Sequence, residues 1–144
     1  MTTSYNVTYW QAHQTTLDAG SPFIIADTAS AIQGALNSLA ADAHITQIQV
    51  ASASGTVQVS VTQLSHDSAA LAILKNGTSG TTAAIQVVDT AAAIQSNFAL
   101  IGTDSQVGAI WISNNLALTL SASQVRNNIA AVGLTYDSDG LTPA

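Results

Sequence analysis

Three histidines, eight aspartates and many serines are the residues of this chain with chemistry to offer. His66 and Asp67 are adjacent, and with a serine they supply the parts of a Ser-His-Asp site. No G-x-S-x-G elbow accompanies them, and neighbours on a helix point in different directions. Glutamate is absent, so a two-carboxylate glycosidase would have only Asp to draw on. Those Asp residues read as caps and loop residues. There is no cysteine, which excludes thiol catalysis, disulfides and Cys-ligated zinc. Asp137-Ser138-Asp139-Gly140 opens like a calcium loop, with Asp137 and Asp139 as its metal candidates. It lacks the bidentate Glu of an EF-hand, so weak calcium binding is the most it supports. His13 or His44 with Tyr5, Tyr9 or Tyr136 offers ligand types for haem, without a supporting spacing. Tyr9 and Trp10 have rings that stack on sugars, or that pack a terminal strand onto a core. The expectation is a protein that is not an enzyme and holds no cofactor.

Composition narrows the partners. Of 144 residues 47% are hydrophobic, enough for a real core, and only 7% are charged, against roughly 25% in ordinary domains. Lys75 and Arg126 are the two cations. Two cations cannot neutralise a phosphate backbone, so nucleic acid is excluded as a partner, and so is an anionic membrane surface. No apolar run reaches the ~20 residues that span a bilayer. The N-terminal residues contain neither a basic stretch nor an apolar one, so a cleavable signal peptide is not expected.

The chain contains a repeat. Asp27-Thr28-Ala29-Ser30-Ala31-Ile32-Gln33 recurs as Asp89-Thr90-Ala91-Ala92-Ala93-Ile94-Gln95, with six of seven positions identical at a spacing of 62. Apolar stretches precede both copies, Asp42 falls opposite Asp104, and Ile48 and Val50 fall opposite Ile110 and Ile112. Val57, Val59 and Val61 match Leu116, Leu118 and Leu120. Polar residues 76–82 separate the copies.

Each copy reads as a short strand, an Asp-capped helix, a hairpin and a second helix. Ile32, Ala35, Leu36 and Leu39 lie on one face of a helix over about 28–41. Ile48 and Val50 alternate with Gln47 and Gln49. Ser54-Gly55-Thr56 turns the chain, and Val57, Val59 and Val61 alternate with Gln58 and Ser60. Asn114-Asn115 turns the second hairpin. Thr62 caps the helix that follows the first, with Lys75 in its last turn. Ser121-Ala122-Ser123-Gln124 has capping-box spacing. A leading strand puts Tyr5, Val7 and Tyr9 on one face, and 134–136 form a trailing strand. The fold expected is α+β: two tandem β-α-β-β-α repeats with antiparallel hairpins and helices packed on a sheet. The divisions are an N-terminal strand segment (1–22), repeat 1 (23–76), a linker (77–83), repeat 2 (84–134) and an acidic tail (135–144).

Strand edges are usually guarded by Lys, Pro or inward charges. No charged residue lies between Thr46 and His66. Gln47, Gln49, Gln58 and Ser60, with Tyr5, Val7 and Tyr9 on the leading strand, therefore form the expected interface. The partner is the protein itself, in an oligomer or polymer, since repeat units bury open ends by stacking. The alternative is an exported small-ligand or haem-binding protein.

Asp27-Thr28-Ala29 with Ile32, Asp89-Thr90-Ala91 with Ile94, and Ser121-Ala122-Ser123-Gln124-Val125 carry a resemblance. Over about residues 23–134 the chain resembles tandem α+β modules of very large, low-charge bacterial surface or exported proteins, with a D-T-A-x-x-I helix and a T/S-A-x-Q-L/V motif. Thr62-Gln63-Leu64 is a shortened form of the second motif. The resemblance implies export by type I secretion without an N-terminal signal peptide. It also implies a role as a structural component of a cell-surface or extracellular filament, layer or matrix.

Overall fold

Every major helix begins where a side chain catches N–H groups that the first turn leaves unpaired. Thr28 accepts from the N–H of Ala31 and Thr90 from that of Ala93, both at 3.3 Å. Asn6 accepts from Tyr9 at 2.7 Å and Ser60 from Gln63 at 3.1 Å. At Ser121 and Gln124 the capping box is complete. Ser60 and Gln63 form the same reciprocal pair, the Ser60 N–H donating to Gln63 Oε1 at 3.1 Å. The cap of the middle helix is thus Ser60 and not Thr62, and the motif there is full length.

A computed structural model of the chain describes residues 2–51 and 55–136. In chain order the elements are β1 (Ser4–Tyr5), α1 (Val7–Asp18), β2 (Phe23–Asp27), α2 (Ala29–Ala40), β3 (Ile45–Val50) and β4 (Val57–Val59). Then follow α3 (Val61–His66), α4 (Ser68–Ala72), β5 (Leu74–Asn76), β6 (Ile85–Asp89), α5 (Ala91–Ser96) and α6 (Phe98–Thr103). The last are β7 (Val107–Ile112), α7 (Ala122–Asn127), α8 (Ile129–Val132) and β8 (Thr135–Tyr136).

The fold is α/β, with two four-stranded parallel sheets in the orders β1-β2-β3-β5 and β4-β6-β7-β8. This corrects the α+β expectation with antiparallel hairpins. Alternation over 47–61 signals two half-buried strands but not their partners. β3 and β4 are not a hairpin: β3 lies between β2 and β5, and β4 belongs to the other sheet. Likewise no strand is assigned to 116–120, so β7 has no returning partner there. A helix after a strand returns the chain in the same direction, and that is what makes the pairing parallel. Lys75 lies in β5 rather than in a helix. The leading strand stops at Tyr5: Val7 and Tyr9 are in α1, because Asn6 caps a helix there.

The chain forms two units, Met1–Val57 with His66–Ala83, and Gln58–Ser65 with Ala84–Ala144. Each is built on the same hydrogen bonds. The Phe23 N–H bonds the His44 carbonyl and the Ile85 N–H that of Gln106. Ala51 donates to the Asp27 carbonyl and Ser113 to that of Asp89. The register slips by one residue between Phe23 and Ile24, and again between Ile85 and Gln86. This bulge explains why Ile45, Ile48 and Val50, like Val107, Ile110 and Ile112, are buried without strict alternation. The first core is filled by Trp10, Phe23, Ile25, Ile32, Leu36 and Ile48, the second by Ile85, Val87, Ile94, Phe98, Ile101 and Ile110.

Asp27 and Asp89 close each repeat. Asp27 Oδ1 accepts from Thr28 N–H at 2.7 Å while Oδ2 accepts from Val7 N–H, the start of α1, at 2.9 Å. Asp89 does the same with Thr90 at 2.8 Å and with Val61, the start of α3, at 3.1 Å. One carboxylate therefore ties a strand's end to the helix that follows it and to the helix of the neighbouring element.

A shorter period lies within the 62-residue repeat. Helices begin at Ala29, Val61, Ala91 and Ala122, so successive starts are 32, 30 and 31 residues apart. Three of these helices break six residues in, at Asp67, Asn97 and Asn128, and α1 kinks six residues in at His13. All four breaking residues leave helical geometry, with φ from −99° to −133° and ψ from 15° to 39°. At three of them the cause is side-chain capture of the carbonyl four residues back. Asn97 Nδ2 donates to Ala93 and Asn128 Nδ2 to Gln124, each at 3.0 Å, and His13 Nδ1 donates to Tyr9 at 2.9 Å. In α2 the sixth position is Ala35, and that helix is unbroken.

Three substitutions test this framework. Asp27→Ala and Asp89→Ala each strand two backbone donors, and each should cost about 1–3 kcal/mol in denaturant unfolding. Gly102 lies against the break in the next helix: a Cβ there would sit 2.4 Å from Asn128 Oδ1 and 2.9 Å from its Cβ. Gly102→Ala should cost about 1–3 kcal/mol, since Asn128 cannot retreat without losing its carbonyl.

Candidate functional site

The residues with chemistry to offer are mostly spent on the backbone. Asp42 Oδ1 accepts from the N–H of His44 at 2.8 Å, and its Oδ2 accepts from the Trp10 indole N–H at 2.8 Å. Asp18 and Asp42 stand 3.7 and 3.6 Å from His44 Nδ1, and together these three groups have metal-ligand spacing. Asp104 repeats the turn of Asp42, accepting from Gln106 N–H at 2.8 Å, with Gln in the place of His44. The turn alone therefore accounts for the position of Asp42. Asp137 and Asp139 lie outside the described residues.

His13, Tyr9 and Tyr5 form a ladder on α1 and β1, with ring centroids 4.1 Å and 5.1 Å apart. Tyr5 also meets the edge of Phe23. The ladder borders a hollow lined by Thr2, Thr3, Thr16 and Pro22. Trp10 is fully buried and takes no part in it. Tyr136, in β8, lies against Trp111. His66 is exposed on α3 while Asp67 is buried.

The expected interface residues are dispersed. Gln47 and Gln49 are half-buried in β3, whose two sides are paired to β2 and β5, so they line no open edge. Gln58 is exposed on β4, an outer strand, with its Nε2 on Gln86 Oε1 at 2.9 Å. Ser60 is the cap of α3. Val7 is buried, and Tyr5 and Tyr9 belong to the ladder.

The face that stands open is one the sequence reading assigned to a hairpin. Residues 118–127 match 57–66, with Ser121 and Gln124 in the places of Ser60 and Gln63, so Leu118 and Leu120, not Leu116 and Leu118, stand opposite Val57 and Val59. In the earlier copy Val57, Val59, Val61 and Leu64 are all buried. Their counterparts Leu118, Leu120 and Val125 are half-buried and Ala122 is exposed; α7 contains no buried residue. Leu116 and Ile129 are 62% and 68% exposed. The signal available in the sequence was the second S-x-x-Q box at a spacing of 61.

No helix among the described residues is long and apolar enough to cross a membrane. The chain matches no known family, no characterised protein and no solved structure.

Asp67 is the one break residue without a side-chain amide or ring nitrogen. Four residues before it is Gln63, the counterpart of the carbonyl-bearing Gln124. A carboxylate has no proton to give such a carbonyl, and among the described residues Asp67 Oδ2 has no hydrogen-bond partner. Burial raises the Asp67 pKa, with His66 pulling it partly back. The folded chain therefore favours the neutral acid. The stability this gives is complete below the ordinary carboxyl pKa and is lost as pH rises through the elevated one. Asp67→Asn, which restores the donor found at Asn97 and Asn128, should stabilise the protein at pH 7 by about 1 kcal/mol. The parent's melting temperature should decline between pH 4 and pH 7, and the variant's should decline less.

Proposed function

We propose that this chain is a non-enzymatic structural protein that self-associates into an extracellular filament, layer or matrix. The observation that carries the reading is α7, open together with the apolar residues that precede it. Residues 116–127 have the pattern of a docked strand and helix, yet their apolar positions are only partly covered. Repeat arrays bury such faces by stacking the next unit on them. Gln58 on an outer strand supplies a second uncharged edge.

Export by type I secretion and placement at the cell surface rest on the resemblance of the D-T-A and S-A-x-Q-V motifs to modules of large, low-charge surface proteins.

Light scattering across a concentration series, with negative-stain microscopy, tests the proposal. Regular assemblies that grow with concentration are expected. The double variant Leu118→Lys with Leu120→Lys should lose them while keeping its circular dichroism. A parent protein that stays monomeric at every concentration sinks the idea.

A further inference from the structure

We infer that Asp18, Asp42 and His44 form a binding site for one divalent transition-metal ion, zinc by preference, on the first unit. The site goes beyond the self-association proposed above and does not depend on it.

The three groups converge without bonding one another. Asp18 Oδ1 and Asp42 Oδ1 stand 3.7 and 3.6 Å from His44 Nδ1, beyond hydrogen-bond length. All three ligand atoms lie within 4.8 Å of one another. Around a tetrahedral zinc with ligand bonds of about 2.0–2.1 Å, neighbouring ligand atoms are about 3.3–3.4 Å apart. A small inward movement of the side chains therefore closes them on an ion. That movement is available, since the side chains of His44 and Asp18 are 39% and 42% exposed. Asp42 is the fixed ligand, with its side chain only 4% exposed. The Trp10 indole N–H donates to its Oδ2 and the His44 N–H to its Oδ1, both at 2.8 Å. A carboxylate oxygen that accepts one such bond keeps a second lone pair, and outer hydrogen bonds of this kind orient metal-binding carboxylates. A hollow of about 300 Å³, lined also by Gln14 and Ser38, opens onto the three groups and leaves room for water as a further ligand.

Charge and ligand type set the ion. Asp18 is the last residue of α1, and no basic residue accompanies it in that turn. An anion at a helix C-terminus opposes the dipole, which favours a cation there. Two carboxylates balance the charge of a divalent ion. An imidazole with only three side chains suits zinc, whereas calcium takes about six to eight oxygens.

The second unit shows that the fold does not require this set. Asp104 makes the turn of Asp42 with Gln106 in the place of His44. Counted from the helix breaks at His13, Asp67 and Asn128, Asp18 falls at Ala72 and Gly133. The repeat uses Asp42 alone; Asp18 and His44 are additions, and they meet at one point.

Zinc chloride titrated calorimetrically into the dilute chain, in a buffer that does not bind metal, tests the site. One zinc per chain is expected, with a melting temperature that rises with zinc concentration. The His44 ring resonances should shift while those of His13 and His66 stay in place. His44→Gln, which copies the turn of Asp104, and Asp18→Asn should each weaken binding about tenfold or more, with circular dichroism like the parent's. A large excess of calcium should not displace the zinc. Absence of binding makes the three residues an ion-pair cluster only and overturns the site. Zinc held with unchanged affinity by either variant overturns it too, and displacement by calcium overturns the choice of metal.

Discussion

A short carboxylate at the end of a strand holds this structure together. Asp27 and Asp89 each receive two backbone N–H groups, one from the helix they introduce and one from the helix of the adjacent element. Helix N-termini carry partial positive charge, so one anion placed between two of them is stabilised by both. Each element is thereby registered on its neighbour without a cation. A one-carbon side chain suits these two positions. Asp42 and Asp104 catch a backbone N–H two residues on, a reach that suits a one-carbon side chain.

The same economy governs the helices. A polar residue at the sixth position takes a carbonyl from the helix ladder and bends the axis, and the following half-helix starts in a new direction. Where that position is Ala35 the helix runs straight. Asp67 is the costly member of the set, because it must hold a proton to act as its counterparts do. The break there lies where the chain leaves one unit for the other.

The 62-residue repeat, the helix after Asp27 and the apolar positions that fill the cores are legible in the sequence, since they depend on local spacing. Sheet partnership is not. Val57 and Val59 alternate with Gln58 as a returning hairpin strand would, and six residues from β3 are enough to turn. Only the choice of neighbour, decided by Asp89 and β6, separates a hairpin from a change of sheet. Tyr5, Val7 and Tyr9 likewise alternate as a strand, yet Val7 and Trp10 share the buried side of a helix once Asn6 has capped it. The open element escaped notice for the same reason. Leu116, Leu118 and Leu120 suggested a second hairpin return, and the matching S-x-x-Q boxes at Ser60 and Ser121 were the evidence against it.

Asymmetry between the two ends follows from this arrangement. At the start of the chain the outer strand and helix carry Tyr5, Val7 and Trp10, and the indole gains a hydrogen bond to Asp42 that Leu64 cannot make in the second unit. Toward the other end the corresponding positions are Leu120, Ala122 and Val125, smaller on the helix and not fully covered. A large aromatic anchor with a polar tether is held twice within one molecule, by its burial and by its hydrogen bond. Small apolar residues on a helix already capped and already bent gain less from the same packing, and their burial stays partial.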